Sequence, residues 1–301
     1  MALLGVLVWG QPVFAGGPVR VFVSIAPQKY FVQQIGRERV DVQVMVRPGA
    51  SPATYEPRPM QMAALARASL YFSIGVPFEQ AWLDRIVSAN PRLRIVATDQ
   101  GIEKLAMANH RHRDEDDADH HEDIKRNHMA AGHRGGRDPR GIRDPHIWLS
   151  PPLVKMQARN ILAALQQIDP DHGAVYEANA EEFISEINAL DADLRRLFSS
   201  RQGMRFMVFH PSWGYFAQAY GIQQIPIEME GKNPKPAQLE KLIAHAREDG
   251  IRVVFVQPQF STRSAALIAG EIGGSVSVAD PLAENWAQNL KNVAMQFISP
   301  H

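Results

Sequence analysis

Six of the eleven histidines in this chain, His110, His112, His120, His121, His128 and His133, crowd into one stretch, interleaved with Asp114, Glu115, Asp116, Asp117, Asp119, Glu122 and Asp123. Burying so many charged and imidazole groups together would carry large desolvation costs, so the stretch is expected to be solvated and disordered, over about 108–140. Neutral imidazole is a common ligand for borderline metals, and a His-rich tract reads first as metal-binding. The plainer alternative is a flexible polar insertion. A purification tag fits poorly, because these histidines are scattered, mid-chain and mixed with acids.

Two further histidines stand in short loops of a different character. Asp144-Pro145-His146-Ile147-Trp148-Leu149-Ser150-Pro151 follows the His-rich tract, and Phe209-His210-Pro211-Ser212-Trp213-Gly214-Tyr215 lies later. Val278-Ala279-Asp280-Pro281-Leu282 adds a carboxylate, and Pro48-Gly49-Ala50-Ser51-Pro52-Ala53-Thr54-Tyr55-Glu56-Pro57 forms a fourth loop. Each is expected at the C-terminal end of a strand, where ligands bind in open α/β sheets. Two neutral imidazoles and one carboxylate suit zinc or manganese. Taken singly, each has an ordinary structural reading: a histidine before proline is often only a satisfied core group, and Asp280 before Pro281 could open a turn or cap a helix.

The elements that must position these residues alternate between β-branched runs and helical stretches. In the first half Val19–Ile25, Asp41–Val46, Leu70–Ile74 and Leu93–Val96 read as strands, with helices at Pro27–Ile35, Pro59–Ala66 and Phe78–Val87. In the second, Arg205–Phe209, Ile222–Ile227, Val253–Val256 and Ser275–Val278 are the strands, and helices fall near Trp213–Tyr220, Pro236–Glu248, Ser264–Ile272 and Glu284–Gln296. Such alternation predicts an α/β fold of two lobes, each a mostly parallel sheet flanked by helices. Between them Phe183, Ile187, Leu190, Leu194 and Leu197 recur at spacings of four and three, the apolar stripe of one amphipathic helix. That helix runs over about 174–199, roughly 39 Å at 1.5 Å per residue, after a break at Pro170 and Gly173. It makes a stiff spine, with the metal site expected between the lobes. The domain boundaries expected are 16–150 for the first lobe, 174–199 for the spine and 200–301 for the second lobe.

Composition narrows the rest. Lys plus Arg total 32 against 32 Asp plus Glu, and no nucleic-acid-reading motif is present, so nucleic acid is not an expected partner. Nothing after the N-terminus is apolar for long enough to span a membrane. Residues 1–15 resemble a secretory signal peptide without its usual basic leader: an apolar run from Ala2 to Trp9, then the small-residue pattern Val13-Phe14-Ala15. The chain holds no cysteine, so export without disulfides and without a lipid anchor is expected, giving a soluble periplasmic monomer.

These motifs together resemble the solute-binding proteins of zinc-uptake ABC transporters, the ZnuA-like branch of a cluster that also contains manganese binders. The stretches that carry the likeness are Ser24-Ile25-Ala26-Pro27, Pro52-Ala53-Thr54-Tyr55-Glu56-Pro57, Asp144 to Leu149, Phe209 to Trp213, Pro234-Lys235-Pro236-Ala237-Gln238-Leu239, Gln257-Pro258-Gln259-Phe260-Ser261 and Asp280-Pro281-Leu282. The resemblance implies capture of Zn2+, delivery to a permease in the inner membrane, and His146, His210 and Asp280 as ligands. It also implies a histidine in the first loop, where this chain has Ala53. A methyl group cannot coordinate zinc, so one position of a tetrahedral site is open to water, or to a substitute from His110, His112, His120, His121, His128 or His133. Glu56 is expected to hold amides of its own loop instead.

Two rival readings remain. With only one carboxylate evident, manganese is the weaker expectation, and all-oxygen binders such as calcium and magnesium are weaker still. Three ligands plus water is also the arrangement of a hydrolytic zinc site, but no His-Glu-x-x-His pair, Gly-x-Ser-x-Gly elbow or phosphate loop is present, and no enzyme activity is expected. An adhesin built on the same fold is a third class that the sequence leaves open.

Overall fold

The computed structural model describes residues 17–107, 143–229 and 231–298. The first lobe holds β1 (Val19–Val23), α1 (Ala26–Gly36), β2 (Val40–Val44), α2 (Pro59–Leu65), β3 (Leu70–Ser73), α3 (Pro77–Ala89) and β4 (Arg94–Ala97). Next come α4 (Pro151–Ile168) and the spine α5 (Gly173–Phe198). The second lobe holds β5 (Arg205–Val208), α6 (Gly214–Tyr220), β6 (Gln223–Pro226), α7 (Pro236–Glu248), β7 (Val253–Val256), α8 (Arg263–Glu271), β8 (Ser275–Val278) and α9 (Trp286–Ile298).

Both sheets are wholly parallel and share one strand order, β2-β1-β3-β4 and β6-β5-β7-β8. In such an order the crossovers from the central pair leave in opposite directions, and the crevice between them opens at the carboxyl ends of the strands. The residues just after β5 and β7 are therefore neighbours by topology alone.

Local chemistry starts several helices in the same way. α1, α2 and α7 each carry proline in the first turn and glutamine at the third position: Gln28, Gln61 and Gln238. Each glutamine carbonyl accepts a backbone amide that the helix start leaves free, from Ile25 (3.3 Å), Arg58 (3.0 Å) and Lys235 (2.8 Å). At the other end of α6, Gly221 takes φ 70°, the left-handed cap that turns the chain into β6.

The expected apolar stripe of the spine is buried at Phe183, Ile187, Leu190 and Leu194, but Leu197 is only half-buried and Phe198 takes the last core position. The reason is geometric, since four residues beyond Leu194 return more nearly to the same face than three do. Phe183 lies 6.0 Å from Phe31 of α1, and Phe198 lies 5.7 Å from both Phe216 and Phe297, so one helix is built into the cores on both sides. A smaller cluster under α7 and α8, with Met207, Ile227, Leu242, Val254 and Ile268, closes the far face of the second sheet.

Two expectations need correction. α4 carries 18 residues between the first lobe and the spine, where the sequence reading placed no helix. The His146 segment does not end a strand: it follows an isolated bridge between Ala106 and Arg143 and enters a single 3-10 turn, Ile147–Leu149.

Candidate metal centre

His210 leaves the end of β5 and His146 stands immediately before the 3-10 turn, and their ring centroids lie 5.3 Å apart, near edge-to-face at 70°. His146 is buried and His210 is half-buried. Each ring is held by a carboxylate on the same nitrogen. Asp144 Oδ1 accepts from His146 Nδ1 at 2.7 Å and from the His146 amide at 2.9 Å. Glu228 Oε1 accepts from His210 Nδ1 at 2.8 Å. An ionised carboxylate only accepts, so the ring proton sits on Nδ1 and the lone pair of each imidazole sits on Nε2. This is the preparation a metal-ligating histidine needs.

The backbone around His210 is pinned as firmly as its ring. Gln257, just past β7, accepts the His210 amide with Oε1 at 3.1 Å, while its Nε2 donates to the His210 carbonyl at 2.6 Å and to Ser212 Oγ at 3.0 Å. Phe260 stacks on the imidazole at 5.2 Å and 26°. Neighbouring strands β5, β6 and β7 thus supply the ring, its carboxylate and its backbone clamp.

On the other side, Tyr215 of α6 reaches across to the Asp144 loop. Its hydroxyl donates to the Asp144 carbonyl at 2.9 Å and accepts the Leu105 amide at 2.8 Å. Burial also sets the protonation state. Desolvation holds the His146 pKa below the ordinary imidazole value, against the opposing pull of Asp144, which favours the neutral ring a metal requires.

Asp280 follows β8. Its Oδ1 accepts the Leu282 amide at 2.9 Å and the Gln259 side chain at 3.3 Å, and the Asn289 side chain caps its carbonyl at 2.8 Å. The loop is tied to the His146 turn by the Trp148 indole, which donates to the Pro281 carbonyl at 2.6 Å. Among the described residues, no three His, Asp or Glu side chains converge as a ready-made metal-binding group. The structure therefore brings His146 and His210 together, and puts Asp280 on a loop bonded to the same turn without closing the set.

Ala53 is exposed, in a loop docked on α3 by the Phe78 amide, which donates to the Pro52 carbonyl at 3.1 Å. Glu56 does not hold the amides expected of it. It is exposed and without a hydrogen bond among the described residues, and Ser51 and Gln61 take that task for Ala53 and Arg58. His110, His112, His120, His121, His128 and His133 lie outside the described residues.

Glu228 is a carboxylate of the candidate site that sequence reasoning missed. Its Ile-Glu-Met-Glu surroundings match no motif. The available signal was topological: it follows β6, and β6 pairs with β5, whose end carries His210.

Known proteins share this arrangement of chain and fold. A family model described as "Zinc-uptake complex component A periplasmic" matches residues 21–297. The high-affinity zinc uptake system protein ZnuA of Bacillus subtilis (strain 168) is 27% identical over 271 residues, covering 89% of this chain and 79% of that protein. A crystal structure of ZnuA superposes with a TM-score of 0.81 at 41% identity, covering 93% of this chain and 98% of the other. A 138–173 deletion mutant of ZnuA with zinc bound is 40% identical, with a TM-score of 0.79, over 93% of this chain and 96% of that one.

Proposed function

This chain belongs to the family of zinc-uptake complex component A, whose members are zinc-capturing solute-binding proteins, and from that premise we propose that it holds Zn2+ on His146, His210 and Asp280. The observation that carries the assignment is the matched pair of imidazoles, 5.3 Å apart, each with Nδ1 committed to a buried carboxylate and Nε2 left as the donor. A zinc–nitrogen bond is about 2.0–2.1 Å, so two rings at this separation can share one ion after small adjustments. Asp280 supplies the third ligand through a carboxylate oxygen. The fourth position of the tetrahedron, which the family resemblance gives to a histidine where this chain has Ala53, is taken by water or by a histidine of the 110–133 stretch.

Nitrogen-rich ligation favours zinc over manganese, which suits oxygen-rich shells. Captured in the periplasm after export by a signal peptide, the ion passes to the membrane permease of an ABC transporter. The family's solute-binding role supports carriage of zinc rather than hydrolysis with it. The test is zinc titration against a competing chelator. One tight site is expected in the wild type, lost in His146→Ala and His210→Ala. Undiminished affinity in both variants would refute the site.

A further inference from the structure

Two buried tryptophans link the His146 turn to the Asp280 loop. Trp148 and Trp286 are each 1% exposed. The Trp148 indole N–H donates to the Pro281 carbonyl, 133 residues away in sequence, at 2.6 Å. The Trp286 indole N–H donates in turn to the Trp148 carbonyl, 138 residues away, at 2.6 Å. Both partners adjoin the metal candidates, since Pro281 follows Asp280 directly and Trp148 stands two residues after His146. The Trp148 ring also lies 5.1 Å from the His146 imidazole, and Trp286 packs edge-on to Phe31 of α1 at 5.2 Å.

We infer that Trp148 and Trp286 are positioning residues that lock the Asp280 loop in register with His146, so that carboxylate and imidazole meet one ion at a fixed separation. This rests on Asp280 being a ligand, as proposed above. The physical case is that the apolar faces of an indole pack without fixing one partner atom, whereas its single N–H is directional and, when buried, usually finds an acceptor. The buried Trp213 N–H has none among the described residues, so the two bonds made by Trp148 and Trp286 are not automatic. Here both N–H groups are used on backbone carbonyls beside ligand positions, and both bridge segments far apart in sequence. His210, by contrast, is clamped within the second lobe by Glu228, Gln257 and Phe260. The site thus has one half fixed within a lobe and one half fixed across segments by the indole chain.

Substitution of groups that orient metal ligands weakens metal binding by about 10–100-fold. Trp148→Phe keeps an aromatic ring and removes only the donor to Pro281. Zinc affinity, measured by chelator competition well below the melting temperature, is expected to fall about tenfold. In an Asp280→Ala background the same substitution is expected to change affinity little, because its effect passes through the missing carboxylate. The absorption spectrum of the Co2+-loaded protein reports coordination geometry and is expected to shift in Trp148→Phe.

Equal loss in both backgrounds, or full affinity with an unchanged cobalt spectrum, would overturn the inference and leave the tryptophans as core residues only. If Asp280→Ala alone keeps full affinity, the ligand assignment fails instead. Should Trp148→Phe not fold, Trp286→Phe removes the second N–H and is read by the same criteria.

Discussion

Glu228→Gln separates zinc binding from fold stability, because the two respond with opposite sign. Glu228 is 8% exposed, with Oε1 on His210 Nδ1 at 2.8 Å and Oε2 buried without a hydrogen-bond partner among the described residues. Leaving a buried acceptor unmet costs about 1–3 kcal/mol, and more when it is charged. Glutamine keeps the carbonyl acceptor for Nδ1 and removes the charge. The metal-free protein should therefore melt at the same temperature or higher.

Zinc binding runs the other way. A cation on Nε2 makes the Nδ1 proton more acidic, and the carboxylate stabilises the positive charge that the ring then shares. The usual cost of altering such a partner, 10–100-fold, corresponds to about 1.4–2.7 kcal/mol. Because the hydrogen bond itself survives, the expected loss in Glu228→Gln lies near tenfold, and Glu228→Ala falls toward the hundredfold end. Chelator competition gives the affinity, and thermal denaturation in EDTA gives the stability. An unchanged affinity together with a lowered melting temperature would refute the reasoning and make Glu228 a purely structural group.

Three further outcomes are expected. Ala53→His restores a fourth protein ligand and tightens zinc binding in the same titration; no change would mean that residue 53 does not face the ion. Deleting 110–133 weakens binding in the wild type but not in Ala53→His, whereas no loss in the wild type shows that no histidine of the stretch fills the open position. Burial lowers the His146 pKa, so above about pH 6.5 the ring is neutral in folded and unfolded chains alike and contributes no pH dependence. As pH falls below that value the unfolded chain takes up the proton first, and stability of the metal-free protein drops until the folded ring titrates too. Urea midpoints at pH 7.5 and 5.5 should fall further in the wild type than in His146→Gln; an equal fall in both contradicts the burial argument.

Most of the fold was legible because both lobes write the same alternation of β-branched strands and amphipathic helices, and β7, β8 and α7 fall on the residues read from sequence. α4 went unread, although Pro151-Pro152 is compatible with a helix start, where proline only removes an amide that would go unbonded. The two histidines were legible as residues beside proline and tryptophan. Their carboxylate partners were not equally visible. Asp144 is two residues from His146, a local contact, whereas Glu228 reaches His210 only through the pairing of β5 with β6. The indole bonds of Trp148 and Trp286 span more than 130 residues and leave no periodic trace in the sequence.

The most direct test of the site is a crystal structure of the zinc-loaded protein with anomalous data at the zinc edge. The account predicts one strong peak about 2.0–2.2 Å from His146 Nε2, His210 Nε2 and an Asp280 carboxylate oxygen. A peak bound through Nδ1, or one that leaves either histidine or Asp280 uncoordinated, would contradict it.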